Sequence, residues 1–394
     1  MVLILAGLAC YAVLGGADFG AGFWELFAYG EGGKEVREHT HRAMAPVWEA
    51  NHVWLIFVLV VCWTAYPTAF ASIVTTLTVP LFIAAIGVIL RGASYAFRTG
   101  DPSGREEGAL QLVFSLSSVL TPFALGAAAG GIASGRVPVG NAAGDAVTSW
   151  LNPTSLLVGS LAVASAAYTA AVYLAGDARR EGSDDLAETF RKRALVSGAI
   201  VGAIAVCGPL VLHEDARPLY EGLSSGLGLG AGFVSGIAGV TTLALVYRGR
   251  FEPARWSASL AVGAIIAGWG LAQRPSFLPG LTLEEAAAGD ATLMAIAVSV
   301  GVGLLILLPS LALLFRFVLT GRFDPGRESA EAPDREGASA APAIPVAAAA
   351  GTAGIGAIVS LVFEGWPLAA GLALMLIGAV LAFLIFAAPE EEEA

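Results

Sequence analysis

The feature that most constrains this chain is a succession of uncharged apolar runs, each long enough to cross a bilayer. A spanning helix needs roughly 20 apolar residues, and every backbone N–H and C=O within lipid must be satisfied internally. The runs are continuous rather than alternating, which selects helices over a closed barrel. They fall near 3–29, 46–66, 69–97, 108–132, 153–175, 192–212, 225–247, 256–273 and 292–315, and two more lie near 343–363 and 367–387. Composition agrees. Of 394 residues, 56% are hydrophobic and 13% charged, with mean hydropathy +0.75, whereas soluble domains carry about 25% charged residues. The shortest run, 256–273, is kept as a span because Trp256 and Trp269 near its ends suit an interfacial aromatic belt. The expected fold is an all-α polytopic membrane protein with nine core transmembrane helices in residues 1–320. A flexible linker at 321–342, an added transmembrane hairpin at 343–388 and an acidic tail at 389–394 follow. The linker, GRFDPGRESAEAPDREGASAAP, is charged, rich in Pro, Gly and Ala, and aperiodic.

Charge placement gives the orientation. Of the 21 Lys and Arg residues, Arg136, Arg217 and Arg274 lie in even-numbered loops and Arg91 lies inside a span; all others lie in odd-numbered loops. Cytoplasmic loops retain positive charge, so the odd loops are read as inside and the N-terminus as outside. The first apolar run has no basic stretch before it and continues through Gly-Ala-Asp-Phe-Gly, so it is read as a spanning helix rather than a cleaved leader. The net charge of −11 includes the terminal EEEE and gives no sign of a nucleic-acid partner. Cys10, Cys62 and Cys207 all lie in apolar runs, which speaks against a disulfide framework or a thiolate metal site.

Asp18, Glu49, His52 and Arg91 are ionisable groups inside the first three predicted spans. By helical rise, Asp18 lies about 16 Å and Arg91 about 9 Å above the inner face. Glu49 and His52 fall in the first two turns of the second helix, three residues apart and able to share a face. Such groups are costly in lipid unless paired or watered, and they commonly mark proton or ion routes. A plainer reading stands beside this one. Glu49 and His52 also fit headgroup-wetted interfacial positions anchored by Trp48 and Trp54, and Arg91 alone can snorkel. Asp18 is too deep and too short for that, and its neighbours Gly15, Gly16, Gly20 and Gly22 admit a closely packed helix.

The histidine count excludes a redox centre of the chain's own. His39 and His41 fall in an inner loop, His213 at an outer helix end, and His52 alone in the inner half of the membrane. A bis-histidine haem needs two rings at one depth on facing helices, and a haem–copper site needs more. No metal-binding or cofactor-binding residues and no catalytic residues are therefore assigned within the chain alone.

Several stretches taken in order carry a family resemblance: GGADFGAGFWEL, APVWEANHVWLIFVLVVCWTAYP, LRGASYAFR, LNPTSLLVG, FLPGLTLEEAAAGDATL and ILLPSLALLFRF. Over about residues 3–318 the chain resembles subunit II of the cytochrome bd quinol oxidases. The resemblance implies a heterodimer with a homologous subunit I that carries haems b and d, oxidises quinol and reduces dioxygen to water in a bacterial or archaeal cell membrane. Bound lipids, and in some members a bound quinone or a small accessory subunit, come with it. Asp18 matches the family's first-helix aspartate, and Glu49 its acid between Trp48 and Asn51. Both belong to a proton route implied from the cytoplasm, with His52 as a further member; Trp48, Asn51, Trp54 and Arg91 are read as packing or charge-pairing residues. Gly15 and Ala96 stand where relatives can carry acids, so a route through those positions would run through water or His52. The residues leave ubiquinol and menaquinol equally open. The alternative function is a proton- or ion-coupled transporter, which calls for inverted repeats with broken helices at the midplane; an assembly subunit without a proton role is a third reading. The helices of 343–388 lie outside the resemblance.

Overall fold

The computed structural model describes residues 1–319 except 29, 31, 45–47 and 99–104, together with Thr352 and Leu374. Met1–Leu313 forms one compact unit and Leu314–Ala394 a second. Of the second, only residues 314–319, Thr352 and Leu374 are described, so the expected linker, hairpin and tail lie outside the described residues.

Within the first unit the helices follow from the apolar runs and their punctuation. α1 spans Val2–Glu25 and widens into a π-helical turn at Tyr11–Gly15. α2 (Gly33–Met44) is a short amphipathic helix in what reads from sequence as a loop. Its charge hides it from a search for apolar runs, yet Val36, His39, Thr40 and Met44 form a buried stripe at helical spacing. α3 (Trp48–Ala65) ends at Tyr66, and Pro67 opens α4 (Pro67–Thr76) at the first helical position, where a missing N–H costs nothing. The predicted run 69–97 is thus two helices, α4 and α5 (Thr78–Arg98), parted at Leu77, which has left helical geometry.

α6 (Arg105–Ala133) and α7 (Pro153–Arg180) are joined by a long connection that closes on the Asn152 cap, whose side chain accepts from the Ser155 N–H. α8 (Asp184–Asp215) follows after a tight reversal at Gly182, whose φ of +75° suits the left-handed C-cap that a glycine permits. α9 (Arg217–Leu223), α10 (Gly226–Tyr247) and α11 (Phe251–Ala272) complete the packed bundle. A small hairpin of β1 (Ser276–Leu278) and β2 (Leu281–Thr282), then α12 (Leu283–Ala286), lead into α13 (Asp290–Leu319).

Nine helices among the described residues reach 18 residues or more. Eight are apolar enough to cross a membrane; α11 is long enough but carries Glu252, Arg255, Trp256 and Trp269. The chain is a multi-pass helical membrane protein. α7 lies at its centre, and its Ala166, Ala167, Ala170, Ala171 and Ala175 are buried against α1 and α8. Small residues allow this close packing where lipid supplies no hydrophobic drive. A Cβ at Gly20 would overlap the Ala166 carbonyl. Large apolar side chains such as Ile89, Val206, Phe233 and Leu305 point outward, as a lipid-facing surface requires.

The buried polar cluster of α1, α3, α5 and α6

Asp18, Gly22 and Glu25 recur at i, i+4 and i+7 and form one stripe of α1 facing α5 and α6. Arg91 reaches across from α5. Its Nε donates to Asp18 Oδ2 at 3.0 Å, and its Nη2 donates to Oδ1 at 2.8 Å and to the Asp18 carbonyl at 2.7 Å. Nη1 donates to Ser118 Oγ on α6, which donates to the Phe114 carbonyl at 2.6 Å. The guanidinium rests on the Phe114 ring at 4.2 Å and faces Phe19 at 5.1 Å. Both charged residues are 0% exposed, so Arg91 does not snorkel. Burying two charges is tolerable only with such geometry, because desolvation costs several kcal/mol per ion. The absent side chain of Gly22 makes the room: a Cβ there would collide with Ser118 Oγ and stand 2.8 Å from Arg91 Nη1.

The WEANHVW residues divide between the two sides of α3. Asn51, Trp54, Val58 and Val61 form its buried stripe. Trp48 is half-buried and stacks on Tyr95, with ring centroids 5.2 Å apart. Glu49 is exposed, on the same outward side as Val53, Ile56 and Val60. His52 turns inward. Its Nδ1 donates to the Trp48 carbonyl at 3.0 Å, and its ring lies 5.6 Å from Phe19 and 6.0 Å from Tyr11. Three residues apart on one helix, Glu49 and His52 nevertheless face different surroundings, and His52 belongs to the neighbourhood of Asp18.

Several polar residues of this region escape the sequence reading. Glu25 is buried at the end of the Asp18 stripe, near enough to act on the Arg91 charge; its i+7 spacing is the signal that marks it. His39 is fully buried, with Nδ1 3.1 Å from Glu181 Oε2 and Nε2 3.0 Å from the Leu174 carbonyl. Arg42 also approaches Glu181, at 3.5 Å. Only the fold brings α2 to the end of α7, so no local pattern announces that contact. At the opposite end of the bundle Arg136 forks onto Asp215 at 2.6 and 3.1 Å, and Asp215 also accepts from Thr154 Oγ1 at 2.6 Å.

The four histidines meet different partners, and His52 bonds the Trp48 carbonyl through Nδ1. Both nitrogens of His39 are engaged, His41 stacks on Tyr95, and His213 bonds Glu214 and Arg217 at the other end. No group of three His, Cys, Asp or Glu side chains able to hold a metal occurs among the described residues.

A many-helix bundle with its charged pair sealed between α1 and α5 is the architecture of a polytopic membrane subunit. The chain belongs to the cytochrome bd terminal oxidase subunit II family, whose model matches residues 1–318. Its fold is similar to the solved bd oxidase from Geobacillus thermodenitrificans, with a TM-score of 0.63 and 26% identity, covering 81% of this chain and 99% of that one. It is 24% identical over 217 residues to the putative cytochrome bd menaquinol oxidase subunit II of Bacillus subtilis, a stretch covering 54% of this chain and 61% of that relative. It is 26% identical over 126 residues to the cytochrome bd ubiquinol oxidase subunit 2 of the same organism, covering 32% and 36%. The aligned stretches thus span less than two thirds of these relatives' lengths. Family membership disfavours the transporter reading.

Proposed function

We propose that this chain is the non-haem subunit II of a bd-type quinol:oxygen oxidoreductase, paired with a haem-bearing subunit I in the cell membrane with its N-terminus outside. Family membership supports the pairing. The haems of the partner supply electron transfer and dioxygen reduction, and water formation there consumes protons. In this reading the chain stabilises the partner and feeds it protons from the cytoplasmic side.

The observation that carries the proton role is the placement of Glu49. A carboxylate exposed in the first turn of α3 is open to water and so to proton exchange. His52 stands one turn further in, and imidazole is suited to accept and release protons near neutral pH. Asp18 has both oxygens held by Arg91, so its part is to fix the field and geometry at the inner end of the route.

The test is Glu49→Gln in the co-expressed complex. Quinol oxidation and proton uptake should fall together while haem content and subunit pairing stay normal. Full turnover would return Glu49 to an interfacial role, and a chain that never co-purifies with a haem subunit would overturn the pairing itself.

A further inference from the structure

His39 on α2 is fully buried, and each of its ring nitrogens faces an acceptor. Nε2 lies 3.0 Å from the Leu174 carbonyl oxygen on α7, and Nδ1 lies 3.1 Å from Oε2 of Glu181, the C-cap residue of that helix. A carbonyl can only accept, so the Leu174 contact needs an N–H on Nε2. Glu181 is partly exposed and shares the same Oε2 with Arg42 at 3.5 Å, so near neutral pH it is an ionised carboxylate and likewise only accepts. A neutral imidazole has one N–H for these two contacts; an imidazolium has two. In the neutral ring one nitrogen lone pair would face an oxygen lone pair in a buried site, which is costly.

Few other charges face the ring. On α8 the Phe190 ring lies 5.7 Å from it, and Arg193 stacks on that same Phe190 ring at 5.0 Å. On α7, Asp177 is held by Arg180 and Arg255. On α2 itself Arg42 turns to Glu181, Arg37 donates to the Ala28 carbonyl, and Lys34, Glu35 and Glu38 are exposed. On α1, Trp24 and Ala28 share the buried cluster of Phe190 and carry no charge, while Glu25 lies on the stripe facing α5 and α6. The other end of the contact chain reaches the mouth of α3. His41 of α2 stacks on Tyr95 of α5 with ring centroids 5.3 Å apart, and Tyr95 stacks on Trp48 in the first turn of α3 at 5.2 Å. α2 therefore bridges the end of α7 and the mouth of α3.

We propose that His39 is a buried imidazolium that clasps α2 to the end of α7, and that loss of one of its two N–H protons releases the helix. The proton goes to water, and no bond between heavy atoms changes. The docked form holds the extra proton, so the clasp is complete on the acid side of the ring's titration and is lost as pH rises through it. This clasp does not depend on the proton-supply reading, and full turnover in Glu49→Gln would leave it standing.

Hydrogen exchange of the assembled complex supplies the test, followed from about pH 5 to 9 to bracket ordinary imidazole titration and corrected for base catalysis. Protection of the amides of residues 36–40 should fall roughly 10-fold or more across the series, the worth of one charge-assisted hydrogen bond, while residues 166–171 of α7 hold theirs. His39→Gln, whose amide cannot donate to both acceptors as the imidazolium does, should leave α2 weakly protected at every pH. Glu181→Gln keeps an acceptor but removes the charge, and should move the loss to lower pH. Protection of α2 that is flat in pH in the wild type, a pH-dependent loss that survives in His39→Gln, or an unmoved loss in Glu181→Gln overturns the proposal. Should His39→Gln not assemble, the wild-type series and Glu181→Gln decide.

Discussion

Arg91 on α5 grips Asp18 on α1 with two nitrogens on two carboxylate oxygens, at 3.0 and 2.8 Å, across 73 residues of sequence. Neither residue reaches the surface. The pair is a cross-helix lock whose value lies in not being broken, because a lone buried charge is far worse than none.

Removing either partner should therefore be costly. Asp18→Ala or Arg91→Ala is expected to destabilise the complex by about 3–5 kcal/mol, and the double change Asp18→Leu with Arg91→Met by less than either single change. Thermal unfolding of the purified complex measures the order. Arg91→Lys should not rescue, since an ammonium cannot reproduce the forked contact that also reaches Ser118.

Glycines that look equivalent in sequence should respond differently. Gly20→Ala forces a methyl into the Ala166 carbonyl and Gly22→Ala forces one into Ser118 and Arg91. Each should cost about 1–3 kcal/mol by overpacking. Gly230→Ala meets nothing within 4 Å and should be neutral or gain up to about 1 kcal/mol from helix propensity. Melting temperatures of the three variants are the readout.

The chain purified without its partner should show no stoichiometric haem in a reduced-minus-oxidised spectrum, and the complex should show it. Deleting residues 325–394, which lie beyond the family match, should leave pairing and turnover largely intact. Loss of pairing in the truncated chain would assign the hairpin to the interface.

Two acids outside the spans should report on pH. Backbone N–H groups of Thr148 and Val147, and then the Thr148 hydroxyl, hold Asp145 below the ordinary carboxylate range. The Thr282 N–H and hydroxyl do the same for Glu285. A folded-state pKa below the unfolded one means that the stabilisation is complete above about pH 5 and is lost as pH falls through the depressed values. Amide-exchange protection at Thr148 and Thr282 should drop below about pH 4, and Asp145→Asn and Glu285→Gln should flatten that response.

What the sequence by itself determined is the class, the positions of the long helices and the residues on which chemistry could rest. Backbone groups in lipid leave no alternative to helices, so apolar runs locate them with little help from packing. Breaks within an apolar stretch are less legible. Leu77 parts α4 from α5 inside what reads from sequence as the single run 69–97, and the amphipathic α2 lacks an apolar run altogether. The fold alone decided which polar groups meet. Asp18 finds Arg91 rather than Glu49, His52 turns to Tyr11, and His39 finds Glu181 across 142 residues. Periodicity gives the face a residue occupies on its own helix, but the partner of that face is chosen by how small-residue surfaces such as Gly20 on Ala166 let whole helices approach.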